Sequence, residues 1–404
     1  MINSFPESTI ETLPEQVSLT RSGSQLLREL NIDLDAQNIT EISHLERAHY
    51  RAVKNWLGKY KPEAKASNLE QIRGYLEAFY HLCEVREWRR AGIVLSAPIN
   101  TTIGTDYALY RQLEIWGYYN EQLEIYKRLS NHEDIPPNLC VLALVGLGNV
   151  YGRLANYSEA IDYSQKALGR SREIGNYQGE ATALSNLGIG YVGLNQWENA
   201  IVCFQESLEV AQNAELIPEQ ARALGNLGNF YGSRRKFRRG IDYLEQCLVL
   251  ARQMQDRVLE MQALGNLGNA YGYLKTYAKA SECFEQYLTT SRELGNRSGE
   301  VIALNCLGEL YRRIKQYDRA IYHLEQSLSL ARETREFASE GVALGNLGSV
   351  YGQMGKYEQA IELHRQALTV TQKIGDRQGI VLARLNLTLT RLVLRLSRVW
   401  RRHS

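Results

Sequence analysis

The stretch Ala223-Leu224-Gly225-Asn226-Leu227-Gly228-Asn229-Phe230-Tyr231-Gly232 decides the fold, because versions of it return every 40 residues from 141 to 380. Its first large apolar slot holds Leu144, Leu184, Leu224, Leu264, Leu304 and Leu344. Four residues on stand Gly148, Gly188, Gly228, Gly268, Gly308 and Gly348, and then Tyr151, Tyr191, Tyr231, Tyr271, Tyr311 and Tyr351. An aromatic turn follows, then a second frame such as Ala360-Ile361 with Gln366 and Leu368. Six copies fit without an inserted or deleted residue. A fixed period of this length marks an array whose units bury their apolar faces against one another, and such arrays present surfaces rather than catalytic pockets.

Winding one copy gives its architecture. At 3.6 residues per turn Leu184, Leu187, Gly188 and Tyr191 fall within about 100° of one another, a single apolar stripe. A short turn at Asn195-Gln196 leads to a second stripe of Trp197, Ala200, Ile201, Phe204 and Leu208. Two helices joined so tightly pack antiparallel. The small Gly188 and Ala200 let them approach closely, whereas Gly240, standing where the third copy should have Ala, suggests a looser turn. Gly175-Asn176, Gly295-Asn296 and Gly375-Asp376 read as a left-handed helix end followed by an N-cap. The class is all-α.

Outside the array, residues 1–40 are polar, contain Pro6 and Pro14 and lack a period, so a poorly ordered arm is expected. Residues 41–140 turn helical, with Leu45, Ala48, Val53 and Leu57 at helical spacing, and hold about two degenerate copies at 68–98 and 105–130. Trp88 and Tyr119 stand in these where Tyr157 stands in the first regular copy, and Pro136-Pro137 separates the section from residues 141–380. Residues 381–404 read as a helix that caps the last apolar face; Arg391, Arg395, Arg398, Arg401 and Arg402 leave it no wide apolar face for a membrane surface.

Lys plus Arg is 47 against 45 Asp plus Glu, a net +2 that offers no bulk attraction for nucleic acid. Cys83, Cys140, Cys203, Cys247, Cys283 and Cys306 form no C-x-x-C pair, which suits a reducing compartment. Residues 1–21 lack the basic start and apolar run of a signal peptide, and no stretch of 18 uncharged apolar residues occurs. A cytoplasmic protein is expected.

The spacing of large apolar residue, Leu-Gly, Tyr and later Ala resembles the tetratricopeptide repeat, whose usual unit is about 34 residues. The longer Leu-Gly-Asn-Leu-Gly-Asn form is similar to the repeats of LGN/Pins-type polarity adaptors and, more loosely, of kinesin light chain. Residues 77–83 and 116–119 resemble the helical region preceding repeats in bacterial NACHT or NB-ARC regulators, although no G-x-x-x-x-G-K-[ST] occurs. The resemblance implies a right-handed superhelical solenoid whose groove holds extended partner segments.

Nothing in the chain points to catalysis. The seven histidines are scattered, no H-E-x-x-H, G-x-S-x-G or phosphate loop is present, and no metal, cofactor or small-molecule substrate is expected. The informative face of the first helix lies opposite its apolar stripe. It carries Asn186, Asn226, Asn266 and Asn346 at one slot and Asn149, Asn229 and Asn269 three residues further on. Gly225, Gly265 and Gly345, with Gly152, Gly232, Gly272 and Gly352, are placed on the same face.

Asn and Gly are poor helix formers, by about 0.7 and about 1 kcal/mol relative to Ala, so their recurrence needs a compensating gain. Two roles fit. The amides bond neighbouring helix ends, or they hold the C=O and N–H of an extended peptide. Arg222 and Arg312, with Arg153 and Arg313, would select acidic or phosphorylated segments; the resemblance assigns Arg222 to acidic partner side chains. Glu309 and Asn305-Cys306 break the pattern in the fifth copy. The basic run 234–239 could meet an acidic protein or RNA. The leading expectation is a scaffold binding an acidic extended peptide; the alternative is a sensor module acting on a separately encoded ATPase or protease.

Overall fold

The computed structural model describes residues 23–32, 43–63, 66–99 and 107–403, the side chains of 398–403 excepted. The chain divides into two compact units, Met1–Ile174 and Gly175–Ser404. The boundary falls one copy into the array, not at Pro136-Pro137. Those prolines instead open a helix, where a missing N–H costs nothing.

The first unit begins with α1 (Gly23–Glu29) and α2 (His44–Gly58). The arm expected over residues 1–40 is thus corrected in part: α1 is helical, Leu26 and Leu30 are buried, and Arg90 Nε donates to Leu30 O at 2.9 Å. Residues 1–22 and 33–40 of that expectation lie outside the described residues. On α2 the apolar residues Tyr50, Val53 and Leu57 are buried, while Leu45 stays exposed. A single turn, α3 (Asn68–Gln71), leads into α4 (Arg73–Glu84) and α5 (Trp88–Ser96). Two-residue strands β1 (Pro98–Ile99) and β2 (Tyr107–Ala108) pair antiparallel before α6 (Leu109–Ile115) and α7 (Tyr119–Ser130). The degenerate copies are therefore the helix pairs α4/α5 and α6/α7, and the small ribbon between them has no counterpart in the repeat. The unit closes with the first regular copy, α8 (Pro137–Arg153) and α9 (Tyr157–Ile174).

The second unit contains α10 (Tyr177–Gly193), α11 (Trp197–Asn213), α12 (Ile217–Ser233), α13 (Phe237–Gln253), α14 (Arg257–Tyr273), α15 (Tyr277–Glu293), α16 (Arg297–Arg313), α17 (Tyr317–Glu333), α18 (Phe337–Gln353), α19 (Tyr357–Ile374) and α20 (Arg377–His403). Each helix from α10 to α20 starts 20 residues after the last, so the 40-residue period is a doubled 20 at the level of backbone. The turns are alike as well. Asn195, Glu215, Arg235, Gln255, Lys275, Gly295, Lys315, Arg335, Gly355 and Gly375 all take positive φ.

Ordinary residues resist that conformation by about 1–2 kcal/mol. Paired bonds such as Asn195 N–H to Val192 O at 3.0 Å and Gln196 N–H to Tyr191 O at 2.8 Å satisfy the last helical carbonyls and offset the cost. The predicted caps form at the other side: Asn176, Asn296 and Asp376 accept from the N–H of Gly179, Gly299 and Gly379.

Within each copy the two helices meet over the conserved slot of the period. A Cβ at Gly188 would lie 2.4 Å from the Phe204 ring, at Gly228 2.5 Å from Leu244 and at Gly348 2.6 Å from His364. Gly240 is not a loose point. A Cβ there would sit 3.0 Å from the Gly228 carbonyl, so this is a close backbone approach. The helix α20 continues the stack as a first helix would, burying Ala383 and Leu387. Its outer leucines stay exposed among the described residues.

Candidate functional site

In the second unit the first helices are α10, α12, α14, α16 and α18, and winding predicted which of their residues face outward. The structure divides that set. Gly225 and Gly265 point inward: a Cβ would meet Cys247 Sγ at 3.3 Å and the Tyr287 ring at 3.1 Å. Ser185, at the same position in α10, is hydrogen-bonded to Ser207 at 2.9 Å. This slot belongs to the helix–helix contact, which corrects its placement on the groove; only Gly345 finds open space there. Gly232 and Gly272 also have nothing within 4 Å of a Cβ, as a cleft position requires.

The asparagines divide too. Asn186 is 5% exposed and engaged within the protein, so it serves the fold. Asn226, Asn266 and Asn346 are half-buried, Asn229 and Asn269 exposed, and none of the five bonds another group among the described residues. Asn149 is likewise half-buried and unbonded, but it belongs to the first unit.

Three of these amides converge. Asn229, Asn266 and Asn269 line a cleft of about 410 Å³ between α12, α13 and α14. Its floor is Gly228, Leu244 and Ala270, and one wall is formed by Phe237 and Tyr273, stacked at 4.7 Å and 9°. Apolar floor, aromatic wall and polar rim are the usual components of a recognition site, and the volume falls in the range of about 300–1,000 Å³ for such sites. Phe237 and Tyr273 were missed as site residues from sequence. The period gave no signal for Tyr273, because its slot is variable and holds Arg153, Gly193, Ser233, Arg313 and Gln353 in the other copies. Ile302 and Val342, both exposed, give the same face an apolar stretch where α12 has Arg222.

The predicted arginines are already engaged. Arg222 donates to Glu219 at 3.2 Å, and Glu219, buried, also accepts from Gln178 at 3.0 Å. Arg312 makes two bonds of 2.7 Å to Glu309, and Arg313 adds a third at 2.8 Å. Burial raises the Glu309 carboxyl, but hydrogen bonds and charge from both arginines outweigh it and hold the group below the usual range. Arg153 pairs with Glu114 at 2.8 Å in the first unit. Of the basic run 234–239, Arg234 lies over Trp197 and Arg239 over Tyr231, while Arg235 reaches the cleft. No cluster of three His, Cys, Asp or Glu that could hold a metal ion occurs among the described residues. No helix among them is long and apolar enough to cross a membrane.

These helix pairs define a class of repeat protein. The tetratricopeptide repeat profile matches residues 139–213, 219–293 and 299–373, more than half of the chain, and the protein belongs to that family. Comparison with the curated proteins finds no match.

Among solved structures, a STAND signal-transduction ATPase with a tetratricopeptide repeat sensor from Pyrococcus horikoshii superposes with a TM-score of 0.65 at 13% identity. That alignment covers 88% of this chain and 50% of the other, so the chain spans half that protein's length. The Rap conjugation gene regulator of plasmid pLS20, in complex with the Phr* peptide, gives 0.55 at 13% identity over 87% and 84% of the two chains. A Rap protein complexed with competence and sporulation factor gives 0.54 at 14% identity over 88% and 99%. At such identities the shared property is the fold.

Proposed function

We propose that the second unit holds an extended peptide segment of a partner protein along its first helices, and that the chain is a non-enzymatic scaffold. The observation that carries this is the set of unbonded amides at Asn229, Asn266 and Asn269 lining a cleft walled by Phe237 and Tyr273, with Asn226 unbonded on the same helix as Asn229. An amide offers one acceptor and two donors, so it matches a peptide bond whatever the side chain. The cleft would take one apolar or aromatic side chain of the segment. Because Arg222 and Arg312 each hold a carboxylate of the chain, the acid preference expected of them drops out of the proposal. The peptide in the Rap complex of plasmid pLS20 supports a peptide ligand for this fold.

The test is a random-peptide display selection on the full chain, repeated with Asn226→Ala/Asn266→Ala and with Tyr273→Ala. Sequences enriched on the wild type should be lost on both variants, with helical content unchanged by circular dichroism. Equal retention on all three proteins would refute the reading. A second reading, a sensor module for a separately encoded ATPase or protease, draws on the superposition of 88% of the chain onto the STAND protein. It adds a change of shape on binding, which small-angle scattering with a selected peptide would detect.

A further inference from the structure

The helix α20 has two apolar faces. Ala383 and Leu387 are buried against the stack, yet Val381, Leu382, Leu385, Leu389, Leu392, Val393 and Leu396 are 43–67% exposed. Wound at about 100° per residue, these seven occupy one arc of about 120°, and Arg384, Arg391 and Arg395 share a strip of about 40° beside it. The arginines therefore do leave a wide apolar face. The five leucines alternate spacings of three and four residues, the pattern of a coiled-coil seam.

In every regular copy of the second unit a second helix packs on one edge of this arc, the edge of Leu385, close enough that Gly stands at the slot of 388, while the slots of Leu382 and Leu389 stay open, as at Val342 and Asn269. Ser185 meets Ser207, Gly228 meets Leu244, and Gly348 meets His364. Forty residues after Gly348, where a Cβ would already meet the following helix, stands Thr388, which would hold such a helix off. A partner at the ordinary 8–10 Å of helix packing, with its own leucines between them, fits instead.

We propose that this partner is α20 of a second copy of the chain, seam against seam in a twofold dimer. A run of leucines uninterrupted by charge is self-complementary, as an isologous contact requires. The exposed apolar area, roughly 600 Å² per copy, approaches the ~800 Å² per partner of stable interfaces. It is also at the upper end for the surface of a monomer, where patches of about 300–600 Å² are the largest usually found.

Charge placement separates this occupant from others. Residues 377–404 contain seven Arg and no Asp or Glu. Wound on the helix, Arg384, Arg391 and Arg395 lie more than about 100° from the centre of the seam. Two copies can meet leucine to leucine with these arginines outside, repelling through solvent. Salt screens that repulsion and tightens the dimer. Anionic lipid or an acidic partner would be loosened by salt, and the arginines point away from a surface laid on the leucines.

Sedimentation equilibrium of the full chain, between 0.1 and 20 µM and in 0.1 and 0.5 M NaCl, tests the proposal. The wild type should weigh as two chains, with tighter association at the higher salt. Leu389→Glu/Leu392→Glu should weaken it on the order of 100-fold or more, and Leu389→Ala/Leu392→Ala by less. All four substitutions replace side chains half exposed in the single copy, so circular dichroism should be unchanged. Wild type that remains single at 20 µM in both salts would overturn the proposal, as would a dimer indifferent to the substitutions. So would a single chain that floats with phosphatidylglycerol vesicles and is released by 0.5 M NaCl.

Discussion

Adding one methyl group at two positions three residues apart on α18 should move stability in opposite directions. Gly345 lies in mid-helix, and a Cβ there finds nothing within 4 Å. Gly345→Ala therefore gains the full difference in helix propensity, about 1 kcal/mol. Gly348→Ala gains the same, but its Cβ would lie 2.6 Å from His364 Cε1 and 2.7 Å from Nδ1, against about 3.5 Å or more for a relaxed contact. His364 is only 2% exposed, so the ring has nowhere to turn. Overpacking costs about 1–3 kcal/mol, and a contact this short belongs in the upper half of that range. The expected net loss is about 1–2 kcal/mol, placing the two variants about 2–3 kcal/mol apart. In a His364→Ala background the methyl at 348 has room, so its penalty should vanish, a coupling of about 2 kcal/mol.

Arrays open locally, so urea titration should be joined by hydrogen exchange of the α18 amides. Gly348→Ala as stable as Gly345→Ala, or no coupling to His364, would refute this account of how the period packs.

Four further outcomes follow from the same structure. Asn226→Ala and Asn266→Ala should leave stability unchanged or raise it by up to about 0.7 kcal/mol, because Ala is the better helix former and no bond is lost. Asn186→Ala should cost about 1–2 kcal/mol by chemical denaturation, since that amide is buried and engaged. Burial lowers the imidazole of His364 from its ordinary 6.5, so the folded state keeps it neutral while the unfolded chain takes a proton. Stability should then be full above 6.5 and fall as pH drops below it, less so in His364→Leu, as urea midpoints at pH 7.5 and 5.5 would report. Burial pushes the thiols of Cys83 and Cys247 up to about 12, so neither should be alkylated by iodoacetamide at pH 8 in the native chain, as peptide mass mapping would show.

The fold was legible because its determinants are periodic and local. Leu184, Gly188 and Tyr191 declare a stripe, and Gly295-Asn296 a turn, without reference to anything distant. The site was legible only in part, because angle around a helix axis does not say what stands opposite. Asn186 and Asn226 occupy the same slot of the period, yet one is buried and engaged while the other is unbonded. Gly225 shares a nominal face with Gly232, but the first meets Cys247 and the second meets nothing. Arg312 looked free because its partner, Glu309, was read as a break in the asparagine pattern rather than as half of a pair. The helix α1 escaped notice because seven residues are too few for a period, and its burial depends on contacts remote in sequence.

What the copies share and where they differ therefore have separate physical meanings. The shared residues (Leu, Gly and Tyr at the contact slot, positive φ at each turn) fix a stack whose geometry barely changes from α10 to α19. A ligand lying along that stack would meet the same backbone in every copy, so discrimination has to come from the residues that break the period. Those departures cluster. Tyr273 puts an aromatic ring at a variable slot beside three unbonded amides, Glu309 ties down Arg312 and Arg313 one copy later, and Ile302 and Val342 make the next stretch apolar. Asn226 and Asn266 lie on one side of that sequence of changes and Asn346 on the other. A bound segment would thus pass from a face that reads peptide groups to one that reads aliphatic side chains, with the Phe237–Tyr273 cleft at the crossing. Substitution at Tyr273 should consequently change which peptides are selected, whereas substitution at Asn226 should weaken all of them together.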